Sequence, residues 1–387
     1  LNGGGGSGPQ PIYDAEFNEF TSTTPSTLFS YDGIGAGGGQ SAFLNNNIAL
    51  FNQPSEQYGT IVGTTVHFAA SDQGLTSSQI SGYTLASVDG PIIQVPTLGV
   101  GVTIPYVNAG LTKALTLSDA QLCGVLSGQI TNWSQLSKKA TAGTIEVVYR
   151  SDSSAQTYLL TQHLNAVCTA SNSSFPVYPV PITKTFTQLF TGGKPPAAFT
   201  GESGSAAQAA QLLATPLSFG YISPDWTSIA PKSSNTTSLK VADLINGINN
   251  VAYSPTVTNI EAGLENAGPG STNTTPPSTQ AEAANQLLWI PTLPQTNKGY
   301  SIVGYSTWEV SSCYASATAG TNIINFLKDE YSVKSYQTII QNYGYAPISN
   351  TAAAPYITAV TDTFLNNKNG YNLNIDNATL CKGLPGR

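Results

Sequence analysis

Short apolar runs alternate with amphipathic stretches along most of the chain. Val66-His67-Phe68-Ala69-Ala70 reads as a strand, and Ser71-Asp72 leads from it to a helix start at Thr76-Ser77-Ser78-Gln79. Residues 92–95 and 100–106 read as further strands. Ser118-Asp119-Ala120-Gln121 has the form of an N-cap and first turn, with Leu122, Val125 and Leu126 following on one face. Residues 145–150 form a strand pattern that runs into Ser151-Asp152-Ser153-Ser154. A helix carrying Leu159, Leu160 and Leu164 follows. Residues 219–222 give another strand, and helical patterns at 322–331, 335–342 and 356–364 close the chain. Such alternation predicts an α/β fold with mainly parallel sheets. Residues 268–280, rich in Pro, Ser, Thr and Asn, read as a surface loop or linker.

Composition narrows the class. Only 9% of the 387 residues are charged while 40% are hydrophobic. Low charge with ordinary hydrophobicity does not fit the charge-rich disordered class. A formal net charge of −7 argues against a nucleic-acid partner, which would call for basic patches. No apolar run reaches the length of a membrane span. The opening Leu1-Asn2-Gly3 lacks a basic and apolar leader, and the chain reads as the mature form of a periplasmic or secreted protein. Four cysteines, Cys123, Cys168, Cys313 and Cys381, contain no C-x-x-C pair, which disfavours zinc and thioredoxin-like chemistry. Two disulfides are the simplest account, with three connectivities. Cys123–Cys168 and Cys313–Cys381 are favoured because each pair is nearer in sequence.

The groups able to do chemistry gather in four loops. They are Gly3-Gly4-Gly5-Gly6-Ser7-Gly8-Pro9, Gly33-Ile34-Gly35-Ala36-Gly37-Gly38-Gly39, Ser71-Asp72, and Arg150 through Gln156. Each follows a strand or opens a helix. A helix N-terminus carries unpaired N–H groups and about half a positive charge, so several such ends in one crevice suit an anion. Taken singly the signals are weak. Gly3–Gly6 alone reads as a flexible arm, Asp72 alone as a helix cap, and Arg150 alone as a surface ion pair. There is no G-x-x-x-x-G-K-[ST] motif, and no useful G-x-G-x-x-G.

Together the segments resemble the DING proteins, relatives of the phosphate-binding receptors of ABC phosphate transporters. The family's D-I-N-G-G-G-A-T-L-P-Q is similar to Leu1-Asn2-Gly3-Gly4-Gly5-Gly6-Ser7-Gly8-Pro9-Gln10. Its V-H-W-A-G-S-D resembles Val66-His67-Phe68-Ala69-Ala70-Ser71-Asp72, and its L-C-G-V-F-S-G resembles Leu122-Cys123-Gly124-Val125-Leu126-Ser127-Gly128. Its V-V-Y-R-S-E-S-S-G-T-T is similar to Val147-Val148-Tyr149-Arg150-Ser151-Asp152-Ser153-Ser154-Ala155-Gln156-Thr157. Cys313-Tyr314-Ala315 and Cys381-Lys382-Gly383 fit as well, while residues 230–295 match poorly.

The resemblance implies a two-lobed periplasmic-binding-protein fold of type II with inorganic phosphate in the interlobe cleft. It implies the same two disulfides, one in each lobe. Lobe one is expected at 1–98 and 296–387, and lobe two at 99–295. The family's ligand-contacting positions map onto Ser7, Gly8, Ala36, Asp72, Arg150, Ser154, Ala155 and Gln156. Arg150 supplies charge-assisted bonds to an oxyanion. Asp72 is informative, because a carboxylate facing an anion is repulsive unless the anion carries a proton. Hydrogen phosphate has one and sulfate does not, so Asp72 predicts rejection of sulfate. Three departures bear on affinity: the family has Ser where Ala36 stands, Gly where Ala155 stands and Thr where Gln156 stands. Each lost hydrogen bond to a charged ligand costs about 1.5–3 kcal/mol.

The expected role is therefore a phosphate receptor, with an ABC permease as partner and no cofactor or metal. Two other functions are weighed. Some members of this family have been called alkaline phosphatases, but only His67 and His163 are present, and no base is evident beside Ser7 or Ser154. A Tyr-rich, charge-poor exported chain with 19 tyrosines also suits self-assembly into surface filaments.

Overall fold

The structure, a computed structural model, describes residues 1–51, 61, 63–232 and 239–387. Its strands in chain order are β1 (Asn2–Gly5), β2 (Ser30–Asp32), β3 (Phe68–Ser71), β4 (Ile92–Gly101), β5 (Pro105–Tyr106), β6 (Thr116–Leu117) and β7 (Glu146–Arg150). They continue with β8 (Phe199–Glu202), β9 (Ser218–Gly220), β10 (Lys240–Val241), β11 (Asp243–Asn246), β12 (Val251–Tyr253), β13 (Val303–Ser311) and β14 (Ala346–Pro347). One sheet has the order β14-β4-β13-β3-β1-β2, a second β10-β5-β9-β7-β8, and a small third β12-β11-β6.

The sheets are mixed, not mainly parallel. β1 pairs parallel with β2 and β3, but β13 runs antiparallel to both β3 and β4. In the second sheet β7 is parallel to β8 and β9, while β5 is antiparallel to β9 and β10. Alternating sequence pattern sees the βα units but not a long strand such as β13, whose antiparallel pairing needs no crossover helix. Residues 92–95 were expected to end a strand, yet β4 runs on through Pro96. The register with β13 shifts between Ser306 and Thr307, so Thr97 is the extra residue of a bulge. A bulge tolerates a proline because the ladder is already interrupted there.

The glycine-rich opening is a buried strand, not a flexible arm. A Cβ on Gly3 would lie 2.3 Å from the Phe68 ring. Phe68 stacks on Trp308 at 4.3 Å, and Trp308 on Phe326 at 4.6 Å. The glycine thus makes room for the aromatic core of this sheet. On the other side the helix Ala36–Leu44 packs directly onto β1, where a Cβ on Gly39 would come 2.3 Å from Gly5 Cα.

Local signals act as expected at several helix starts. Thr76 and Gln79 form a capping box on Ser77–Ser81, and Ser118 and Gln121 form one on Asp119–Leu126. The closing helices are Ala317–Ser332, Lys334–Asn342 and Ala354–Val360, the last running into a wide turn at Thr361–Leu365. Residues 268–279 carry no helix or strand, only an isolated bridge from Thr272 to Thr292. The disulfides are Cys123–Cys168 and Cys313–Cys381. The first ties the helix Asp119–Leu126 to the C-cap of the helix Ala155–Val167. By chain entropy, loops of 45 and 68 residues contribute about 4 kcal/mol each. Helix Val257–Glu265 packs on β4, β13 and β14 of the first sheet. No helix among the described residues is long and apolar enough to cross a membrane.

Candidate functional site

Four helices start just beyond strand ends. Gln10–Thr23 follows β1, Ala36–Leu44 follows β2, Ala155–Val167 follows β7, and Ser205–Ala214 follows β8. The first two belong with the first sheet and the last two with the second, and their N-termini meet between the sheets. The Gly37 N–H donates to the Ser153 carbonyl at 3.2 Å. The Ser205 N–H donates to Ser7 Oγ at 3.1 Å, and the two hydroxyls are also 3.1 Å apart. Lys184 Nζ donates to Gln40 Oε1 at 2.9 Å. Gly35, the residue before Ala36, has φ +87°, and a Cβ there would lie 2.6 Å from Asp152 Oδ2. Glycine is required by both conformation and space.

At the centre lie Arg150, Asp72 and Gln156, all almost wholly buried. Arg150 Nε donates to Asp152 Oδ1 at 2.6 Å and Nη2 donates to Asp152 Oδ2. This bidentate clamp turns Nη1 toward the cleft, where it donates to Ser205 Oγ at 3.1 Å and Gln156 Oε1 at 3.3 Å. Asp152 Oδ1 also accepts from the Gly204 N–H at 3.1 Å. Ser154 caps the helix that starts at Ala155, and its Oγ donates to Gln156 Oε1 at 3.2 Å. Across the cleft, Gln156 Nε2 donates to Asp72 Oδ2 at 2.5 Å.

Burial pushes the Asp72 carboxyl up to about 7, against the opposing pull of the Ser306 hydroxyl, Arg150 and Gln156. Its other oxygen, Oδ1, is buried and has no hydrogen-bond partner among the described residues. A carboxyl held near neutrality serves as donor or acceptor according to pH. Beside the cleft, burial likewise raises Glu309 to about 8, although Thr307 donates to it at 2.7 Å. A cavity of about 370 Å³ opens beside Asp72 and is lined from the other side by Tyr158 and Gln162.

The structure brings Ser7, Asp72, Arg150, Ser154 and Gln156 into one connected set. Gly8 is packed under it, since a Cβ there would lie 2.2 Å from Gln156 Nε2. Ala36 and Ala155 are buried first residues of their helices, so only their backbones are offered to the cleft. Two residues were missed by sequence reasoning. Ser205 bonds to both Ser7 and Arg150, and Asp152 orients the guanidinium. The signal for Ser205 was a strand followed by Ser203-Gly204-Ser205 and a helix, which repeats the form of the other loops.

The histidines lie elsewhere. His67 Nδ1 accepts from the Asn2 N–H at 3.0 Å, and burial lowers this imidazole to about 3. His163, on the helix Ala155–Val167, contacts Asp119 through Nε2 and the Pro294 carbonyl through Nδ1. Among the described residues no group of three or more His, Cys, Asp or Glu is placed to hold a metal ion.

A chain folded around two mixed sheets, with helix N-termini meeting between them, has the design of a solute-binding receptor. Residues 1–352 match the PBP superfamily domain. Over its full length the chain is 32% identical to Alkaline phosphatase L of Pseudomonas aeruginosa, of which it covers 94%. It is 30% identical to the solved phosphate-binding protein of Stenotrophomonas maltophilia, with TM-score 0.79 and coverage of 100% and 99% of the two chains. The same identity and coverage hold for a high affinity periplasmic phosphate-binding protein, PfluDING, solved with phosphate, at TM-score 0.81. The chain belongs to the PBP superfamily and, within it, to the DING proteins.

Proposed function

We propose that this protein is an extracytoplasmic receptor that holds inorganic phosphate between two closed lobes. The observation that carries the reading is the joining of Asp72 on one sheet to Arg150, Ser154 and Ser205 on the other, at four converging helix N-termini. Arg150 Nη1, the Ser7, Ser154 and Ser205 hydroxyls, and the backbones of Gly8, Ala36 and Ala155 supply donors to three phosphate oxygens. Asp72 accepts the proton of the fourth. The lobes are 1–98 with 296–387, and 99–295, with helix Val257–Glu265 lying on the first lobe's sheet. Delivery to an ABC permease is the role that goes with this design.

The reading makes the protein a binder and not an enzyme. Ser7 Oγ is engaged by Ser205, and Ser154 Oγ by Gln156. Neither hydroxyl contacts His67 or His163, and their partners Ser205 and Gln156 are not bases that could take the proton of a nucleophile. Calorimetric titration of ligand-stripped protein tests the reading. About two pH units above the Asp72 carboxyl, saturable one-to-one heat with phosphate and about a hundredfold weaker binding of sulfate are expected. Heat of equal size with both anions, or hydrolysis of a phosphomonoester at a rate lost in Ser7→Ala or Ser154→Ala, would overturn it.

A further inference from the structure

Gln156 makes the contacts that a hydrogen phosphate would make. Its Oε1 accepts from Arg150 Nη1 at 3.3 Å and from Ser154 Oγ at 3.2 Å, as a phosphate oxygen does. Its Nε2 donates to Asp72 Oδ2, as a P–OH group does. A carboxamide is one of the few side chains that offers an acceptor and a donor from one planar head. The side chain is 2% exposed, and Gly8 leaves it the space it fills, since any Cβ there would collide with the amide nitrogen. Arg150 and Ser154 stand on β7 and the loop after it, in the second sheet's part of the chain, while Asp72 follows β3 of the first. The carboxamide therefore spans the cleft.

We propose that Gln156 is an internal ligand: its carboxamide holds the lobes closed and phosphate binds by displacing it. The proposal rests on the phosphate reading of the cleft for its second half only; the closure follows from the hydrogen bonds themselves. A thermodynamic consequence follows. Apparent affinity is the intrinsic affinity multiplied by the fraction of protein whose site is vacated, so a stable internal contact weakens phosphate binding by that fraction. Even at the low end of the net worth of a hydrogen bond, three of them make this about tenfold or more. The receptor is then tuned to phosphate at higher concentration than a relative with a short side chain at this position.

Two measurements on the full chain test the idea. Small-angle X-ray scattering of phosphate-stripped protein is expected to give the same radius of gyration with and without saturating phosphate. Gln156→Thr and Gln156→Ala are expected to expand when stripped and contract when phosphate is added. Gln156→Glu keeps the shape but sets an oxygen against Asp72, and is expected to expand further as pH rises above about 7. Calorimetry is expected to show phosphate binding about tenfold or more tighter in Gln156→Thr than in the parent. A stripped parent that is already expanded, or a Gln156→Glu protein as compact as the parent at high pH, overturns the proposal. Phosphate binding that is no tighter in Gln156→Thr overturns it and leaves the receptor reading standing. A compact parent and expanded variants, none of which bind phosphate, uphold the internal closure and defeat the receptor reading.

Discussion

Asp72 sets a pH-dependent anion preference whose size follows from its surroundings. Burial raises its carboxyl to about 7, so the group is a neutral donor below that pH and a carboxylate above it. Sulfate accepts a hydrogen bond from the neutral form but has no proton to offer the carboxylate. Its binding above pH 7 requires Asp72 to take up one proton, so affinity falls about tenfold per pH unit, or about 1.4 kcal/mol. Two units above neutrality the loss is about a hundredfold. Hydrogen phosphate brings its own proton to the carboxylate and keeps its affinity over that range. Asp72→Asn removes the titration, since a carboxamide donates at every pH. Calorimetric or competition titrations of both anions from about pH 6 to about pH 9 read the slopes directly. Parallel slopes for phosphate and sulfate in the parent, or a sulfate slope that survives in Asp72→Asn, would refute the argument.

Arg150→Ala removes the donor that faces Ser205 and Gln156 and leaves the half-buried Asp152 without its partner; phosphate affinity measured by calorimetry is expected to fall by about 2–5 kcal/mol. Arg387 is buried in the first lobe's part of the chain, paired with Asp89 at 2.8 Å, donating to the Phe43 and Val66 carbonyls at 2.8 Å and lying 4.1 Å over the Phe43 ring. Arg387→Ala strands the Asp89 carboxylate and is expected to lower stability to urea by about 3–5 kcal/mol, with the Asp89→Ala/Arg387→Ala double variant losing less than the sum of the singles. Glu16 and Glu330 are buried together, and burial and mutual repulsion hold Glu16 protonated well above the ordinary range, as burial does Glu330. The folded state thus binds protons that the unfolded state releases near 4.5. Urea midpoints are expected to fall as pH rises from about 5 to about 8, and Glu16→Gln is expected to flatten that fall.

How much of this was open to a reader of the chain depends on sequence distance. The Gly-rich loops, the capping boxes at Thr76 and Ser118, and the cluster from Arg150 to Gln156 are local patterns; the capping boxes start helices as the pattern predicts, while Gly3–Gly5 lie in a buried strand that composition alone does not announce. Asp152 as the clamp of Arg150 was also local, two residues away, but two acceptor oxygens meeting one guanidinium is a matter of rotamer, not of spacing. Ser205 lies 55 residues from Arg150, and only the pairing of β7 with β8 brings it there. The burial of Glu16 against Glu330 joins the two ends of the chain, which no local pattern encodes. Pro96 misled because a proline inside a strand is rare, and the bulge that admits it belongs to the partner register with β13.

The Asp152 clamp has a kinetic meaning. With Nε and Nη2 engaged by Asp152, the positive charge of Arg150 is balanced beside it, and Asp72 adds a negative charge when ionised. These three residues present no net positive field, and the whole chain carries −7. An anion reaches the cleft by diffusion against a mild repulsion, and is held there by fixed N–H and O–H dipoles that act only at contact range. Added salt screens the long-range repulsion of the net charge more than the short-range pull of Lys184 and the helix N-termini inside the cleft. Capture should therefore speed up slightly as ionic strength rises, the reverse of a receptor that gathers its ligand by long-range charge.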